Sequence, residues 1–325
     1  MAKIRLSDIA QAAGVSTASV SNALNHKSGI NREKAEQIRL LAMQMGYLPS
    51  EDDEKKCIRF VIYKKHGKVV MDTAFFAQLI EGVQEECQKL GCDLLINHVH
   101  SGDDISHFTD MPILLLATEM DSKDLKPWRD VEHPVLLLDS DFHYERFSSV
   151  SIDNREAGYL AASCLMRNGH TRIGFLDSSL PFNNMADRLR GFEDALAEKG
   201  LSTFVRVELE PTVEGACRDM ADWLSTSPQL PTAFFAGNDI MAVGAMWALK
   251  QAGYKLTRDL SIVGMDDMPM CQVVEPPLST IRVDKRRLGS IAVNRLYCMM
   301  KGDVQVAQRV RMSVSLVERD SVRTL

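Results

Sequence analysis

The sequence predicts an α/β chain, with an N-terminal three-helix helix-turn-helix headpiece followed by a two-lobed body of doubly wound parallel sheets. Three observations carry this expectation. Residues 1–49 contain short stretches of helical periodicity punctuated by turn residues. From Ile58 the chain alternates strand-like apolar runs with helical stretches, the mark of parallel α/β architecture. Roughly eight such βα units exceed one comfortable sheet, so two similar lobes are expected.

In the headpiece, Leu6, Ile9, Ala10 and Ala13 recur at i, i+3, i+4 and i+7, predicting a helix over Leu6–Ala13. Gly14 stops it, since glycine takes the left-handed cap conformation without steric cost. Ser16 is a good N-cap for a second helix, Thr17–Leu24. In that helix Val20, Ala23 and Leu24 can pack inward, while Thr17, Ala18, Ser21, Asn22 and Asn25 face outward. The spacing of Ala10, Gly14 and Val20 is that of a helix-turn-helix, whose second helix enters the major groove. A third helix follows Asn31 to about Met45, burying Ala35, Ile38, Leu41 and Ala42, and Gly46 and Pro49 end it. Short polar side chains at a helix start suit base edges and phosphates; a plain three-helix bundle with a solvated second helix is the alternative reading.

In the body, strands are expected at Ile58–Tyr63, Asp93–Asn97, Ile113–Ala117, Val135–Leu138, Ile173–Leu176, Phe204–Val207, Ala233–Ala236 and Ile262–Gly264. Between them lie helices at Phe75–Leu90, Arg155–Arg167, Met185–Lys199, Val213–Thr226, Asp239–Gln251 and Lys285–Met300. Asn97–Pro112 is short enough to suggest a missing helix in the first lobe. Ligands of doubly wound sheets sit at the carboxyl ends of strands, where this chain places Asp177, Asn238-Asp239 and Asp266-Asp267. Arg188, read as opening the next helix, offers fork donors to the same cleft, and Phe75 and Phe76 an apolar wall; the set suits a polyhydroxylated ligand. Asp239 reads as a helix N-cap and Asp267 as a turn acid.

Composition excludes several classes. The longest aliphatic run, Ile113–Ala117, is far short of the roughly 20 residues that span a bilayer, and residues 1–10 form no secretory apolar region, so no membrane partner is expected. Seven cysteines without a CxxC pair suit a reducing cytosol, and the chain is expected to be cytoplasmic. Cys87, Cys92, His98, His100 and His107 fit no zinc spacing. No cofactor is expected, because no GxGxxG or Walker pattern follows any strand. The net charge is −6, yet Lys3, Arg5, Lys27, Arg32, Lys34 and Arg39 outnumber Asp8, Glu33 and Glu36 in residues 1–49. A small basic module on an acidic body is the footprint of a DNA-binding domain joined to a separate sensing domain.

The run Ile9-Ala10-Gln11-Ala12-Ala13-Gly14-Val15-Ser16-Thr17-Ala18-Ser19-Val20-Ser21-Asn22-Ala23-Leu24-Asn25, with Gly46-Tyr47-Leu48-Pro49, resembles the headpiece of the lactose-repressor/galactose-repressor family. The resemblance continues through Gly169-His170, Arg188-Leu189-Arg190-Gly191-Phe192, Asn238-Asp239, Gly264-Met265-Asp266-Asp267 and Pro277-Leu278-Ser279-Thr280-Ile281. It implies a periplasmic-binding-protein-like body. It also implies a nucleoid-associated bacterial repressor of a carbohydrate operon, a homodimer on a palindromic double-stranded operator, controlled by a sugar or sugar phosphate. By resemblance Thr17 and Ala18, with Asn22 beside them, read the operator. Ser16, Ser19, Ser21, Asn25 and Asn31 contact phosphates, and Leu6 belongs to the same DNA-facing set. The effector ligands carried over are Arg188, Asn238 and Asp266, with Phe75 and Asp153 as lining; His170 is structural at that family position. Asn22 stands where the family usually has Arg, which exchanges a guanine contact for one suited to adenine. Ser19 replaces the usual Thr and Met265 the usual aromatic.

The expected division is a headpiece over 1–49, a linker over 50–57 and a body over 58–325, with lobe one at about 58–151 and 283–313 and lobe two at about 152–282 and 314–325. The family's hinge helix carries Ala-Arg and a wedging Leu. Here Ser50-Glu51-Asp52-Asp53-Glu54-Lys55-Lys56-Cys57 offers four successive acids and no wedge, and reads as a solvated linker. The competing functions are a periplasmic-type solute-binding protein, which shares the body fold, and a Rossmann-type enzyme. The headpiece opposes the first, and the lack of a phosphate loop or nucleophile–base pair opposes the second.

Overall fold

The structure is a computed structural model that describes residues 5–24, 31–45, 47, 56–66, 74–142, 144–304 and 306–325. The chain forms two compact units, Met1–Lys56 and Cys57–Leu325.

The first unit holds α1 (Leu6–Ala13), α2 (Thr17–Leu24) and α3 (Arg32–Gln44). Gly14 ends α1 at φ 64°, and the Val15 N–H returns to the Ala10 carbonyl at 3.0 Å, the bond that closes a left-handed helix end. Ile9, Ala10, Val20, Ala23, Ala35, Ile38 and Ala42 form its core, with Leu6 and Leu24 packed on the rim. Asn25 and residues 50–55 of the acidic segment, where a hinge helix was in question, lie outside the described residues.

The second unit is built on two six-stranded sheets. The first contains β1 (Lys56–Lys64), β2 (Cys92–His100), β3 (Ile113–Leu116), β4 (Val135–Leu138), β5 (Ser148–Ile152) and β11 (Arg309–Met312), in the order β11-β5-β4-β3-β1-β2. The second contains β6 (Ile173–Ser178), β7 (Arg206–Leu209), β8 (Ala233–Ala236), β9 (Ser261–Asp266), β10 (Ser279–Arg282) and β12 (Ser315–Val317), in the order β12-β10-β9-β8-β6-β7. Pairing is parallel except between β10 and β12 in the second sheet, and parallel from β1 through β3, β4 and β5 to β11 in the first. The runs Ile113–Leu116, Val135–Leu138 and Ala233–Ala236 are buried throughout, as strands covered on both faces must be. The chain passes between the lobes after Ile152, after Arg282 and after Met312.

The helices are α4 (Ala74–Lys89), α5 (Asn154–Arg167), α6 (Asn183–Ala197), α7 (Val213–Ser225), α8 (Asp239–Gln251) and α9 (Lys285–Met300). They pack in pairs: α4 on α9, α5 on α6 and α7 on α8. The first two pairs cross on glycines. A Cβ at Gly158 would lie 1.9 Å from the Arg188 carbonyl oxygen, and one at Gly191 would lie 1.9 Å from that of Arg155. Gly82 meets the Arg286 backbone in the same way on α9.

Several expectations change. The strand begins at Lys56, two residues early, so Lys56 and Cys57 belong to β1 and not to a linker. The strand expected at Phe204–Val207 runs over Arg206–Leu209, where exposed Arg206 and Glu208 alternate with buried Val207 and Leu209, the pattern of an edge strand. Arg188 sits on the second turn of α6, which starts at Asn183. Among the described residues, 101–112 hold only a single-turn helix, Ser106–Phe108, so the expected missing helix is found. That face of the first sheet is covered instead by a cluster that includes Trp128, Phe142, Leu125 and Met120.

Gly191→Ala tests the helix crossing that sets Arg188. The added methyl must push α6 from α5, and a lower urea midpoint is expected, by about 1–3 kcal/mol as overpacking usually costs. An unchanged midpoint contradicts the account.

Candidate functional site

Two sets of residues stand out, one in each unit. On α2, Thr17, Ala18, Ser21 and Asn22 recur at i, i+1, i+4 and i+5 and so share one side, while Val20 and Ala23 are buried on the other. Thr17 and Ala18 are exposed, and Ser19, Ser21 and Asn22 are half-buried. Ser16 caps the helix by accepting the Ser19 N–H at 3.1 Å, and the two hydroxyls lie 2.9 Å apart. Asn31 does the same for α3, accepting the Glu33 N–H at 2.9 Å. Two residues expected at phosphates thus also hold helix starts. Leu6 is half-buried against the small core.

In the second unit a cavity of about 60 Å³ lies between the lobes where strand ends meet helix starts. Phe75, Arg188, Asn238 and Asp266 line it together with Asp139, Thr118, Asn184 and Phe182. Phe182 and Met185 also line a wider outer cleft of about 730 Å³.

Arg188 is buried, and its orientation is fixed. Its Nε donates to Asn154 Oδ1 at 2.8 Å and its Nη1 to the Gly237 carbonyl at 2.5 Å. Asn238 caps α8 by accepting the Met241 N–H at 2.8 Å. Asp139 stands in the left-handed region, φ 61°, at the end of β4. One of its oxygens accepts the Thr118 hydroxyl at 2.8 Å, and its carbonyl accepts the Asn184 amide at 2.9 Å from the other lobe. Asp266, at φ 111°, passes its carbonyl to the Lys285 ammonium, which begins α9 and sits 5.7 Å over the Phe75 ring. Its carboxylate is hydrogen-bonded to no described residue, and one oxygen each of Asp139 and Asp266 is buried without a partner among the described residues.

These acids are desolvated. Burial pushes Asp139 up to about 7 despite Thr118 and Arg188. Asp266 is also raised by burial, against the pull of Arg188 and Lys285. Asp239 is raised to about 7 by burial and by the charge of Asp266. It is not the cap of α8, as read from sequence. Asn238 takes that place, and Asp239 instead accepts the Thr280 hydroxyl at 2.6 Å and the Met268 N–H at 2.8 Å. Asp267 is more than a turn acid, since Arg319 and Arg282 pair with it at 2.6 and 2.7 Å.

Of the expected effector residues, Phe75, Arg188, Asn238 and Asp266 converge on the cavity. Asp153 does not. Its carboxylate accepts the Glu156 N–H at 2.9 Å to cap α5, and it lines a separate polar depression beside Arg155 and Arg311. Asp177 pairs with Arg206 at 2.5 Å and faces the outer cleft. His170 is buried between Thr232 and the Arg323 carbonyl, a structural place. Asp139 was missed, although it follows the apolar run Val135–Leu138 just as Asn238 follows its own strand.

A raised carboxyl keeps its proton in the folded chain at pH values where the unfolded chain has lost it. Asp139 therefore makes stability fall as pH climbs from about 4 to about 7. Surface acids held low, such as Asp121 at about 2 beside Lys65, act in the opposite sense and are common to wild type and variant. Asp139→Asn keeps an acceptor for Thr118 and removes this slope. The variant is expected to gain on wild type by up to about 4 kcal/mol at pH 8 and to converge with it near pH 4 in urea melts. Parallel pH profiles contradict the assignment.

Comparison with known proteins adds the family. Residues 5–50 match the model of the lacI family of bacterial regulatory proteins, and residues 162–322 match a periplasmic binding protein-like domain. The chain is 30% identical to the ribose operon repressor of Haemophilus influenzae, over 98% of this chain and 99% of that one. It is 28% identical to the transcriptional repressor PurR of Histophilus somni, over 98% and 99% of the two chains. A lac repressor dimer solved with operator and the anti-inducer ONPF shares its fold at a TM-score of 0.73 and 22% identity, covering 99% of this chain and all of that one. These relatives are transcriptional repressors, not enzymes. A helix-turn-helix unit and a two-lobed body joined in one chain, matched end to end, place this protein in the lacI family of DNA-binding transcriptional regulators.

Proposed function

We propose that the chain is a cytoplasmic, nucleoid-bound homodimeric repressor of a carbohydrate operon, and that it reads a palindromic operator. Residues 1–49 serve as the reader and the body from Ile58 as the sensor. Thr17, Ala18 and Asn22 meet base edges, while Ser16, Ser19, Ser21 and Asn31 meet phosphates; Leu6 supports them, and Asn25 completes the set. A sugar or sugar phosphate held by Arg188, Asn238, Asp266 and Phe75 shifts operator affinity through a coupling of about 1–3 kcal/mol. The observation that carries this reading is the convergence of those four side chains on one cavity between the lobes, in a chain of this family. The relatives named for ribose and for PurR, and the operator-bound dimer, support it. Two-fold symmetry in the protein demands two-fold symmetry in its site.

Selection of bound sequences from a random DNA pool by the full-length protein tests it. An inverted repeat is the expected product. Asn22→Arg should move one position of each half-site from adenine toward guanine, a discrimination of about 1–3 kcal/mol. Enrichment of non-symmetric sequences, or none at moderate salt, contradicts the proposal.

A further inference from the structure

Outside the inner cavity, the lobes face each other across a second, charged gap. Lobe one brings Asp141, Phe142 and Tyr144 from the turn after β4, and lobe two brings Asn183, Asp187 and Arg190 from the first turns of α6. Two depressions of about 90 and about 190 Å³ lie between them, and Asp141, Asp187 and Arg190 line both. The smaller one also touches Ile152, Asp153 and Arg311, beside two of the crossings between the lobes. Within each lobe the charges are paired. On β11, Arg311 donates to Asp141 at 2.8 Å and Arg309 reaches the same carboxylate at 2.9 Å, so that this acid, 6% exposed, is held from its own lobe. On α6, Arg190 donates to Asp187 one turn before it, at 2.9 Å. Across the gap, among the described residues, no ion pair joins Arg311 to Asp187 or Arg190 to Asp141. Arg311 nevertheless feels the charges of Asp187 and Asp153. Each lobe thus offers the other one acid and one base.

We infer that these four side chains form an ionic latch between the lobes. When the gap narrows, Arg311 engages Asp187 and Arg190 engages Asp141, and two separate pairs join in one ring of alternating charge. No charge leaves a partner before it gains a second, so closure passes through no buried unpaired ion. Arginine suits both corners, because its fork carries enough donors to bond two carboxylates at once. Isolated half-exposed pairs contribute little, whereas several charges in a network contribute more. Dissolved salt screens the attraction across the gap, so ionic strength sets how firmly the lobes are held at this edge. The latch uses none of the four side chains assigned to the effector, and so acts whatever the inner cavity holds.

Hydrogen exchange of the full-length protein, read by mass spectrometry, tests the latch at the two crossings beside it. There the Asp153 N–H bonds the Met312 carbonyl at 2.8 Å, and the Val314 N–H bonds the Glu156 carboxylate at 3.1 Å. Asp187→Asn and Arg311→Met both leave Asp141 its Arg309 partner, and each should speed exchange at these amides by about two- to fivefold. The double variant should be no faster than either single one, because both changes break the same ring. Raising KCl from about 0.05 to about 0.5 M should speed the wild type likewise and leave the double variant unmoved. Unchanged exchange in either single variant, effects that multiply in the double variant, or a salt response that survives in it overturn the inference. So does a rise shared by α7 and α8, which marks general loosening of the body and not release of a latch.

Discussion

A buried guanidinium organises the body of this protein. Arg188 is held by an amide from the first turn of α5 and by the Gly237 carbonyl just after β8, so its fork does not search for its place. Around it stand Asp139 from one lobe and Asp266 from the other. Ionised carboxylates in such a site persist only beside a compensating cation, and a cation there persists only beside them. Removing the guanidinium leaves the acids buried and uncompensated, whereas Arg188 keeps Asp266 when Asp139 alone is neutralised.

The rest of the architecture serves that balance. Glycines at the α5–α6 crossing let the two backbones approach closely enough to set Arg188 beneath Asn154. Asn184 of the second lobe donates to the Asp139 carbonyl of the first, and Lys285 at the start of α9 donates to the Asp266 carbonyl. Both links cross between the lobes at the atoms that bear the acids. A ligand that engages those acids therefore acts on the groups that tie the lobes together. That coupling is what the proposed effector role requires.

Much of this was legible in the sequence. Continuous runs such as Ile113–Leu116 and Ala233–Ala236 declare buried parallel strands, and Gly14 and Ser16 declare the turn of the helix-turn-helix. The strands β5, β10, β11 and β12 were not legible, because Ser148-Ser149-Val150-Ser151, Ser279-Thr280-Ile281-Arg282 and Arg309-Val310-Arg311 lack apolar runs and gain their place by pairing with distant neighbours. That Arg188, Asn238 and Asp266 would meet at one cavity was legible because each sits in a motif similar to the family's. Asp139 sits in none of those motifs, and its left-handed backbone and buried oxygen arise only from the fold. Asp153 misled in the opposite direction. An acid before a helix is as good a cap as a ligand, and here it caps.

The most direct test of this account needs no ligand. Arg188→Met keeps the volume of the side chain's stem and removes the charge. Measured by urea denaturation, its loss of stability should be about 3–5 kcal/mol at pH 8, where the acids are ionised and left uncompensated. The loss should be clearly smaller at pH 5, where the raised carboxyls Asp139 and Asp239 carry protons. An equal loss at both pH values would mean that Arg188 acts by packing and hydrogen bonding alone, and that the charge balance placed at the centre of this structure does not hold it together.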